Sequence, residues 1–353
     1  MSIVFSHGTA LNIFRWRPDL LSRPREPLPS ATSPLPPSSR HAAALFEAVK
    51  SKGSEFHAGD AGVASNHVGR LGDCAASGGP HACAIAPMHC MTGEGWTRYS
   101  PHGVVTHSGA RDFATRSFIE IEDGVYAVCP ELAFVQCCRG FSPIESLLLG
   151  FELTGTYSTM RTFSCSCSDL SSLSTKRKIV GYLGRNRGVY GAGKLMEAGL
   201  LGYLRDGSAS FQETRLAMVL GLPVRMGGRG LGMPAMNYRI DVAGKAARIA
   251  GRQYLLADLC WPKVRIDVEY ESRRHHSDPE ERINDFKRVH ALELSDWKVI
   301  QVSEVDIRSS VTLDAIAELI RKRAGSHKRK LTAVQIRKQR NLERLLAMEG
   351  VRF

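Results

Sequence analysis

Apolar positions recur with strand or helix spacing in only part of this chain. Residues 52–100 are dominated by Gly, Ala, Ser and His with no period of 2 or 3.6, which is typical of loop or disorder. A run of prolines from Pro24 to Pro37 indicates a linker, because proline lacks a backbone donor and fixes φ. A single amphipathic helix is predicted over residues 41–51. We therefore expect residues 1–100 to be largely irregular or disordered.

Short strand and helix patterns begin after Gly103. Asp123-Gly124 predicts a turn between two strands, and Pro130 stands where a helix can begin. The predicted strands cover residues 104–107, 117–122 and 125–129, and the predicted helical segments cover residues 130–139, 144–149, 175–186 and 192–204. These elements predict a small α+β region over residues 101–205.

A more regular α+β pattern occupies residues 206–323. The predicted elements are a helix over 212–220 with Ser210 as its N-cap, strands over 254–260 and 264–270 around the turn Trp261-Pro262-Lys263, a helix over 279–294, a strand over 298–302 and a helix over 313–323. In the long helix, Ile283, Phe286, Val289 and Leu292 step by three and are expected to form its buried face.

Composition narrows the class of protein. The chain has 353 residues, of which 43% are hydrophobic and 23% charged, as in globular proteins of two or three domains. No apolar run reaches the roughly 18 residues that a membrane helix needs, and the opening residues lack the features of a secretory signal. We expect no membrane contact and a cytoplasmic location.

The nine cysteines include no CxxC pair, and an odd number cannot all form internal disulfides, so reduced thiols are expected. Two interpretations of the cysteine- and histidine-containing segment near residue 80 remain open. One is a loop rich in Gly, Ala and Ser, and the other is a zinc site. The zinc site would use the following thiolates and imidazoles: Cys74, His81, Cys83, His89 and Cys90.

The net charge of +12 predicts affinity for polyanions, of which nucleic acid is the most common in the cytoplasm. Much of the excess lies in residues 324–353, which are expected to form a basic helical tail. A second basic segment over residues 176–187 is either a solvated helix face or a DNA contact.

Carboxylates form the sharpest pattern in the chain. Asp258 precedes the predicted hairpin turn, while Glu269 and Glu271 follow it two residues apart and so share a face of their strand. Carboxylates that converge in an apolar sheet repel unless a cation neutralises them, and Mg²⁺ takes hard oxygen ligands. Glu213 on the preceding helix is a natural fourth member. The competing interpretation makes Asp258 a turn residue and the glutamates a solvent-exposed face.

Basic and imidazole side chains follow these carboxylates. His275 and His276 stand where a neutral imidazole could accept a proton from an attacking water or reach a leaving phosphate oxygen. Arg273 and Arg274 precede them and are expected, with His276, to contact nucleic acid. The alternative is that these are polar loop residues.

These motifs resemble a known nuclease family. Asp258, Glu269 and Glu271, with Glu213 upstream on a helix, are similar to the PD-(D/E)XK restriction-endonuclease pattern. The resemblance is narrower to the Vsr-like uncharacterised nuclease domains related to very short patch repair endonucleases. That similarity covers about residues 208–307. It rests on Ala257-Asp258-Leu259-Cys260-Trp261, Val268-Glu269-Tyr270-Glu271-Ser272, His275-His276, Asp285 with Arg288, and Trp297 followed by Val299-Ile300.

The resemblance implies an α/β/α-type core, a mixed sheet flanked by helices, within an α+β protein. It also implies a catalytic site that uses Mg²⁺, with Mn²⁺ as a substitute, held by Asp258 and Glu269 together with Glu271. Glu271 replaces the lysine of the family motif, which puts catalysis in doubt. The resemblance also implies a catalytic histidine, which His275 matches best and His276 second. Arg288 matches a family position interpreted either as a phosphate contact oriented by Asp285 or as part of a structural salt bridge.

The region over residues 103–157 resembles the segment that precedes such domains in actinobacterial proteins of unassigned function, and more faintly the antitoxin regulators of abortive-infection systems. The hypothesis favoured by the sequence is a metal-dependent endonuclease acting on nucleic acid, with DNA as the favoured substrate. The first alternative is a catalytically inactive nuclease-fold module that binds nucleic acid or serves a toxin–antitoxin system. The second is an interaction protein that docks through the helix bearing Cys137 and Cys138.

Overall fold

A computed structural model shows a mixed α+β protein with two compact units, Met1–Leu204 together with Gly350–Phe353, and Arg205–Glu349. The structure describes residues 3–26, 88–92, 104–108, 116–159, 168–186, 195, 199–271, 279–327 and 330–347. The predicted α+β class is therefore confirmed. Among the described residues, no helix is long and apolar enough to cross a membrane.

The first unit is built on a five-stranded mixed sheet. Its elements are β1 (Ile3–Phe5), α1 (His7–Trp16), β2 (Met88–Thr92), β3 (Val104–Ser108), β4 (Phe118–Glu122), β5 (Val125–Val128), α2 (Pro130–Cys138), α3 (Pro143–Thr154) and α4 (Lys176–Arg185). The strand order is β3-β2-β1-β5-β4, in which β1 is parallel to β5 and antiparallel to β2.

Of the region 1–100 that we expected to be largely irregular, the structure describes residues 3–26 and 88–92, and both of these segments contain regular elements. β1 is the central strand of the sheet, and the α1 side chains Leu11, Ile13 and Phe14 are buried. The strand of only three residues is too short to give a period-2 signal, which is why the pattern missed it. The predicted helix over residues 41–51 lies outside the described residues, as do residues 192–194 and 196–198 of the helix predicted over 192–204, within which Leu200–Gly202 form a short 3-10 helix.

The second unit contains a four-stranded sheet in the order β6-β7-β8-β9. Its elements are α5 (Phe211–Gly221), β6 (Ala235–Asp241), α6 (Gly244–Ala250), β7 (Tyr254–Trp261), β8 (Ile266–Glu271), α7 (Pro279–Leu294), β9 (Lys298–Ser303), α8 (Glu304–Ile307), α9 (Ser310–Arg323) and α10 (Ala333–Ala347). The first three strands are antiparallel and β9 is parallel to β8. The predicted elements of this region are all present, and β6 and α6 are additional.

One predicted core face is wrong. Leu292 of α7 is buried, but Ile283 and Phe286 are 54% and 67% exposed. Steps of three drift around a helix that turns every 3.6 residues, so a long stripe at that spacing does not stay on one face. The core against the sheet instead uses the C-terminal half of α7, where Ala291 and Leu292 pack with Ile240, Leu255 and Val299.

The basic tail is a folded part of the second unit. α10 packs against α5 and buries Leu342 and Leu346. Glu343, one of the few acids in this tail, pairs with the buried guanidinium of Arg229 at 2.9 Å. That carboxylate is directed inward, so it does not neutralise the exposed cations of the same helix.

Candidate carboxylate site

The β7–β8 hairpin brings Asp258 and Glu269 together. A short helical turn over Pro262–Val264 and the left-handed Arg265, with φ of 49°, reverse the chain between the two strands. The register pairs Leu259 with Val268, and Asp258 and Glu269 are the next residues along the two strands. The backbone N–H of Tyr270 donates to Asp258 Oδ2 at 3.2 Å. The predicted convergence of these two carboxylates across the hairpin is therefore present.

Glu213 reaches the same cluster from the first turn of α5. Ser210 caps this helix as predicted, because its hydroxyl accepts from the Glu213 N–H at 3.2 Å. In return, the Glu213 carboxylate accepts from the Ala209 N–H and the Ser210 hydroxyl, both at 2.9 Å, and from the Asn237 amide at 3.4 Å. These donors fix the Glu213 carboxylate, on which the charge of Asp258 acts.

Burial and neighbouring carboxylates raise the pKa values of Asp258 and Glu213. Burial, followed by the negative charge of Glu269, raises the pKa of Asp258 to about 6. Burial, followed by the charge of Asp258, raises the pKa of Glu213 to about 7. Both values lie above the ordinary range because charged carboxylates lose hydration in this site and face one another. A bound cation would offset the repulsion between the carboxylates, so cation binding would lower their pKa values and release protons.

Asp267 is a further carboxyl of the cluster, which the sequence analysis did not single out. It is fully buried on β8, two residues before Glu269, and burial together with the Glu269 carboxyl raises its pKa. Neither Asp267 oxygen accepts a hydrogen bond within the described part of the chain. The signal that could have found it is the period of 2, which puts Asp267 and Glu269 on one face.

Arg288 supplies the positive charge of the cluster. Its guanidinium lies on α7 and forms an ion pair with Glu269, with 2.6 Å between Nη1 and Oε1. A second nitrogen of the same group donates to the carbonyl of Leu256. Asp285, expected to orient this arginine, is exposed on the same helix. The ion-pair partner of Arg288 is therefore Glu269 of the cluster and not Asp285.

The remaining predicted residues have different outcomes. Glu271 is half-buried and ends β8, where it pairs with Ser303 of β9. Arg273, Arg274, His275 and His276 lie outside the described residues. The set that the structure brings together is thus Glu213, Asp258, Asp267, Glu269 and Arg288.

The carboxylates are donors of the type that a hard divalent cation takes, but within the described part of the chain no three of them bring their oxygens within 4.8 Å of one another. Carboxylate oxygens are the ligands that Mg²⁺ and Mn²⁺ favour. The oxygens of Asp267 lack a hydrogen-bond partner among the described residues, and its raised pKa means that this buried carboxyl holds a proton near neutral pH. Of these acids, Asp258 and Glu269 lie next to each other across the hairpin and are the natural pair to share an ion.

Comparison with known proteins gives a limited result. No family model matches the chain, and no solved structure matches it. The chain is similar to two proteins of Mycobacterium tuberculosis, the uncharacterized protein MT2308 of strain CDC 1551 / Oshkosh and the uncharacterized protein Rv2248 of strain ATCC 25618 / H37Rv. Each is 27% identical over 152 residues, which cover 42% of this chain and 46% of the relative. The match therefore spans about half the length of these relatives and carries no functional description.

Proposed function

We propose that this protein is a metal-dependent endonuclease that hydrolyses phosphodiester bonds of nucleic acid, with DNA as the expected substrate. The observation that carries the proposal is the approach of Glu213, half-buried Asp258 and Glu269 from three separate elements. Acidic side chains are ordinarily exposed or paired with cations, whereas the pKa values of Glu213 and Asp258 are raised by burial and by a neighbouring carboxylate, and only Glu269 pairs with Arg288 among the described ion pairs.

The order of elements supports the resemblance stated from the sequence. A helix, three antiparallel strands, a helix and a parallel strand follow one another as α5, β6, β7, β8, α7 and β9, with the short α6 between β6 and β7. This arrangement agrees with the α/β/α-type core that a restriction-endonuclease fold requires. Fold alone does not fix activity, so the argument for hydrolysis rests on the carboxylates.

Asp258 and Glu269 would hold Mg²⁺ or Mn²⁺, which supplies a Lewis acid for the scissile phosphate and a lower pKa for an attacking water. The Tyr270 amide orients the Asp258 carboxylate, and the α5 N-terminus orients that of Glu213. Arg288 limits repulsion at Glu269, to which its Nη1 is paired, while its Nη2 donates to the Leu256 carbonyl. It thereby gives the site a cation although position 271 carries glutamate.

Affinity for the nucleic-acid backbone would come from exposed cations. Arg337, Arg340 and Arg344 are exposed on α10, while the neighbouring Glu343 is engaged by Arg229. Such a surface binds phosphates without reading sequence, and its binding weakens as salt rises. The second basic segment, on α4, exposes Arg177 and Lys178 and is equally suited to solvation.

The test is cleavage of supercoiled plasmid by the purified full chain with Mg²⁺, Mn²⁺ or EDTA. Cleavage that needs metal and is lost in Asp258→Asn supports the endonuclease. A second candidate, a nuclease-fold module that binds nucleic acid without cutting it, is favoured by Glu271 in the lysine position. Plasmid retardation that is equal in EDTA and Mg²⁺, with no nicking, would support that module.

A further inference from the structure

Three histidines from separate segments of the first unit meet on its sheet. His7 is the first residue of α1, directly after β1, while His89 lies on β2 and His107 on β3. One ligand-capable atom from each ring lies within 4.8 Å of the other two. His89 Nδ1 and His107 Nε2 are 2.8 Å apart, and the ring centroids of His7 and His107 are 3.7 Å apart. Their nitrogens are therefore close enough to share one ion, although His89 and His107 are hydrogen-bonded to each other in this structure.

The strand registers explain this meeting. Phe5 of β1 pairs with Cys90, so the chain beyond β1 passes beside His89, and the Ser6 N–H donates to the His89 carbonyl at 3.0 Å. His107 pairs with Met91, which lies two residues from His89 on β2, so both histidines face the same side of the sheet. The Cys90 side chain lies on the opposite face of β2. Of the zinc set considered from the sequence, only His89 therefore belongs to this trio, and Cys74, His81 and Cys83 lie outside the described residues.

Surrounding polar groups contact the His7 ring and the backbones of His7 and His89. The Ser6 hydroxyl lies 3.0 Å from His7 Nδ1, the position of an outer partner that fixes the orientation of an imidazole ligand. The Gln136 side chain accepts from the backbone N–H of His7 at 3.2 Å, and the Thr9 hydroxyl accepts from the backbone N–H of His89 at 2.9 Å. His7 also has a left-handed backbone with φ of 51°, a strained conformation that is concentrated at functional positions.

We propose that His7, His89 and His107 form a transition-metal site that takes a divalent cation of the zinc class through three imidazole nitrogens. Zinc–nitrogen bonds of about 2.0–2.1 Å in a tetrahedral site require nitrogens about 3.4 Å apart, which small ring movements supply. Three protein ligands leave a fourth position for water or another small ligand, as in catalytic rather than structural zinc sites. The charge of Arg139 acts on His7 and His107, so an anionic fourth ligand such as hydroxide is favoured.

This site is independent of the carboxylate cluster and has different metal chemistry. Imidazole nitrogens select zinc, cobalt or copper over Mg²⁺, whereas carboxylates favour Mg²⁺ and Mn²⁺. Burial keeps the three histidines neutral by lowering the pKa of each, and neutral imidazole is the form that binds metal. The two sites can therefore be loaded and tested separately.

The experiment is titration of the EDTA-stripped full chain with Co²⁺, followed by displacement with Zn²⁺. We expect one Co²⁺ per chain with the visible absorption of a tetrahedral ion, and loss of that absorption when Zn²⁺ is added. His107→Asn and His89→Asn should weaken Zn²⁺ binding by more than the roughly 10–100-fold that loss of an outer partner produces. His290→Asn, at an exposed α7 position, and Asp258→Asn should bind as the wild type does.

Circular dichroism of each variant verifies its fold, so that lost binding is not mistaken for unfolding. The proposal is overturned if the wild type shows no absorption that Zn²⁺ displaces. It is equally overturned if folded His89→Asn and His107→Asn variants bind Zn²⁺ as tightly as wild type.

Discussion

Replacing Asp258 with asparagine is expected to stabilise the metal-free protein at pH 8. The Asp258 carboxyl has its pKa raised from 3.8 to about 6 by burial and by the charge of Glu269. Above pH 6 the folded protein must hold a charge that the unfolded chain carries more easily. A difference of two pKa units corresponds to about 3 kcal/mol of lost stability, at roughly 1.4 kcal/mol per unit.

The sign follows from proton binding. Between about pH 4 and pH 6 the folded state holds more protons at Asp258 than the unfolded state does, so stability falls as the pH rises through this window. Asparagine has nearly the same shape, keeps an oxygen for the Tyr270 N–H and carries no charge. Asp258→Asn should therefore raise the free energy of unfolding by about 2–3 kcal/mol at pH 8 and by little at pH 4, where the wild-type carboxyl is protonated.

The assay is urea unfolding in EDTA at pH 4 and pH 8, followed by circular dichroism, with wild type and variant measured side by side. Asp241→Asn is the matched control, because Asp241 is an exposed carboxylate at the end of β6 and its loss should change stability by less than about 0.5 kcal/mol. Equal destabilisation by Asp258→Asn at both pH values would refute the reasoning, because the carboxylate would then be a structural acceptor rather than a repelled charge.

Three further outcomes follow from the same cluster and from the basic helix. Mg²⁺ at ten times its dissociation constant should raise the free energy of unfolding of wild type at pH 8 by about 1.4 kcal/mol, measured by urea unfolding, and by much less in Asp258→Asn; an equal rise in both would place the ion elsewhere. Arg288→Gln leaves the Glu269 carboxylate without its ion-pair partner, so we expect a loss of about 2–3 kcal/mol in the same assay, reduced from the value for a fully buried pair because a quarter of the Arg288 side chain is exposed. Arg248→Gln on the exposed face of α6 is its control, and equal effects of the two changes would contradict the assigned role. Replacing Arg337, Arg340 and Arg344 of α10 with glutamine should reduce the slope of log affinity against log salt for duplex DNA by about 2.7, at roughly 0.9 per lost phosphate contact; an unchanged slope, like that of a Lys245→Gln/Arg248→Gln control, would move the DNA contact away from α10.

The second unit was largely predictable because its local signals agree with its packing. Ser210 caps α5 and Pro279 begins α7, as the sequence indicates. The strands around Trp261-Pro262-Lys263 pair as a hairpin, since apolar β-rich runs flank a turn. β6 was missed although Met236, Tyr238 and Ile240 alternate along it.

For the carboxylate cluster, residue spacing predicted which side chains approach each other but not how deeply they are buried. The positions of Asp258 and Glu269 on either side of one turn predicted their approach. The period of 2 places Asp267 on the same face as Glu269, but it does not show that this face is buried, because acidic residues that alternate with apolar ones normally face solvent. The ion pair between Arg288 and Glu269 depends on how α7 packs over the sheet, which is a tertiary feature that no local pattern encodes.

The first unit was the least predictable part. Its sheet joins β1 to β2, which lie more than eighty residues apart in sequence, and both are too short to show a clear period. The approach of His7 to His89 and His107 follows from that pairing alone. Long-range registers of this kind are set by packing of the whole unit, so the sequence could suggest single histidines but not the trio.

The most direct test of the central claim measures DNA cleavage and DNA affinity together in wild type and Asp258→Asn. Fluorescent duplex DNA is incubated with each protein in Mg²⁺, and cleavage and binding are followed in the same samples. The account predicts that wild type cleaves and that the variant binds with similar affinity but does not cleave. Cleavage by the variant at the wild-type rate, or none by wild type in Mg²⁺ or Mn²⁺ although it binds the DNA, would contradict the claim that these carboxylates form a nuclease site.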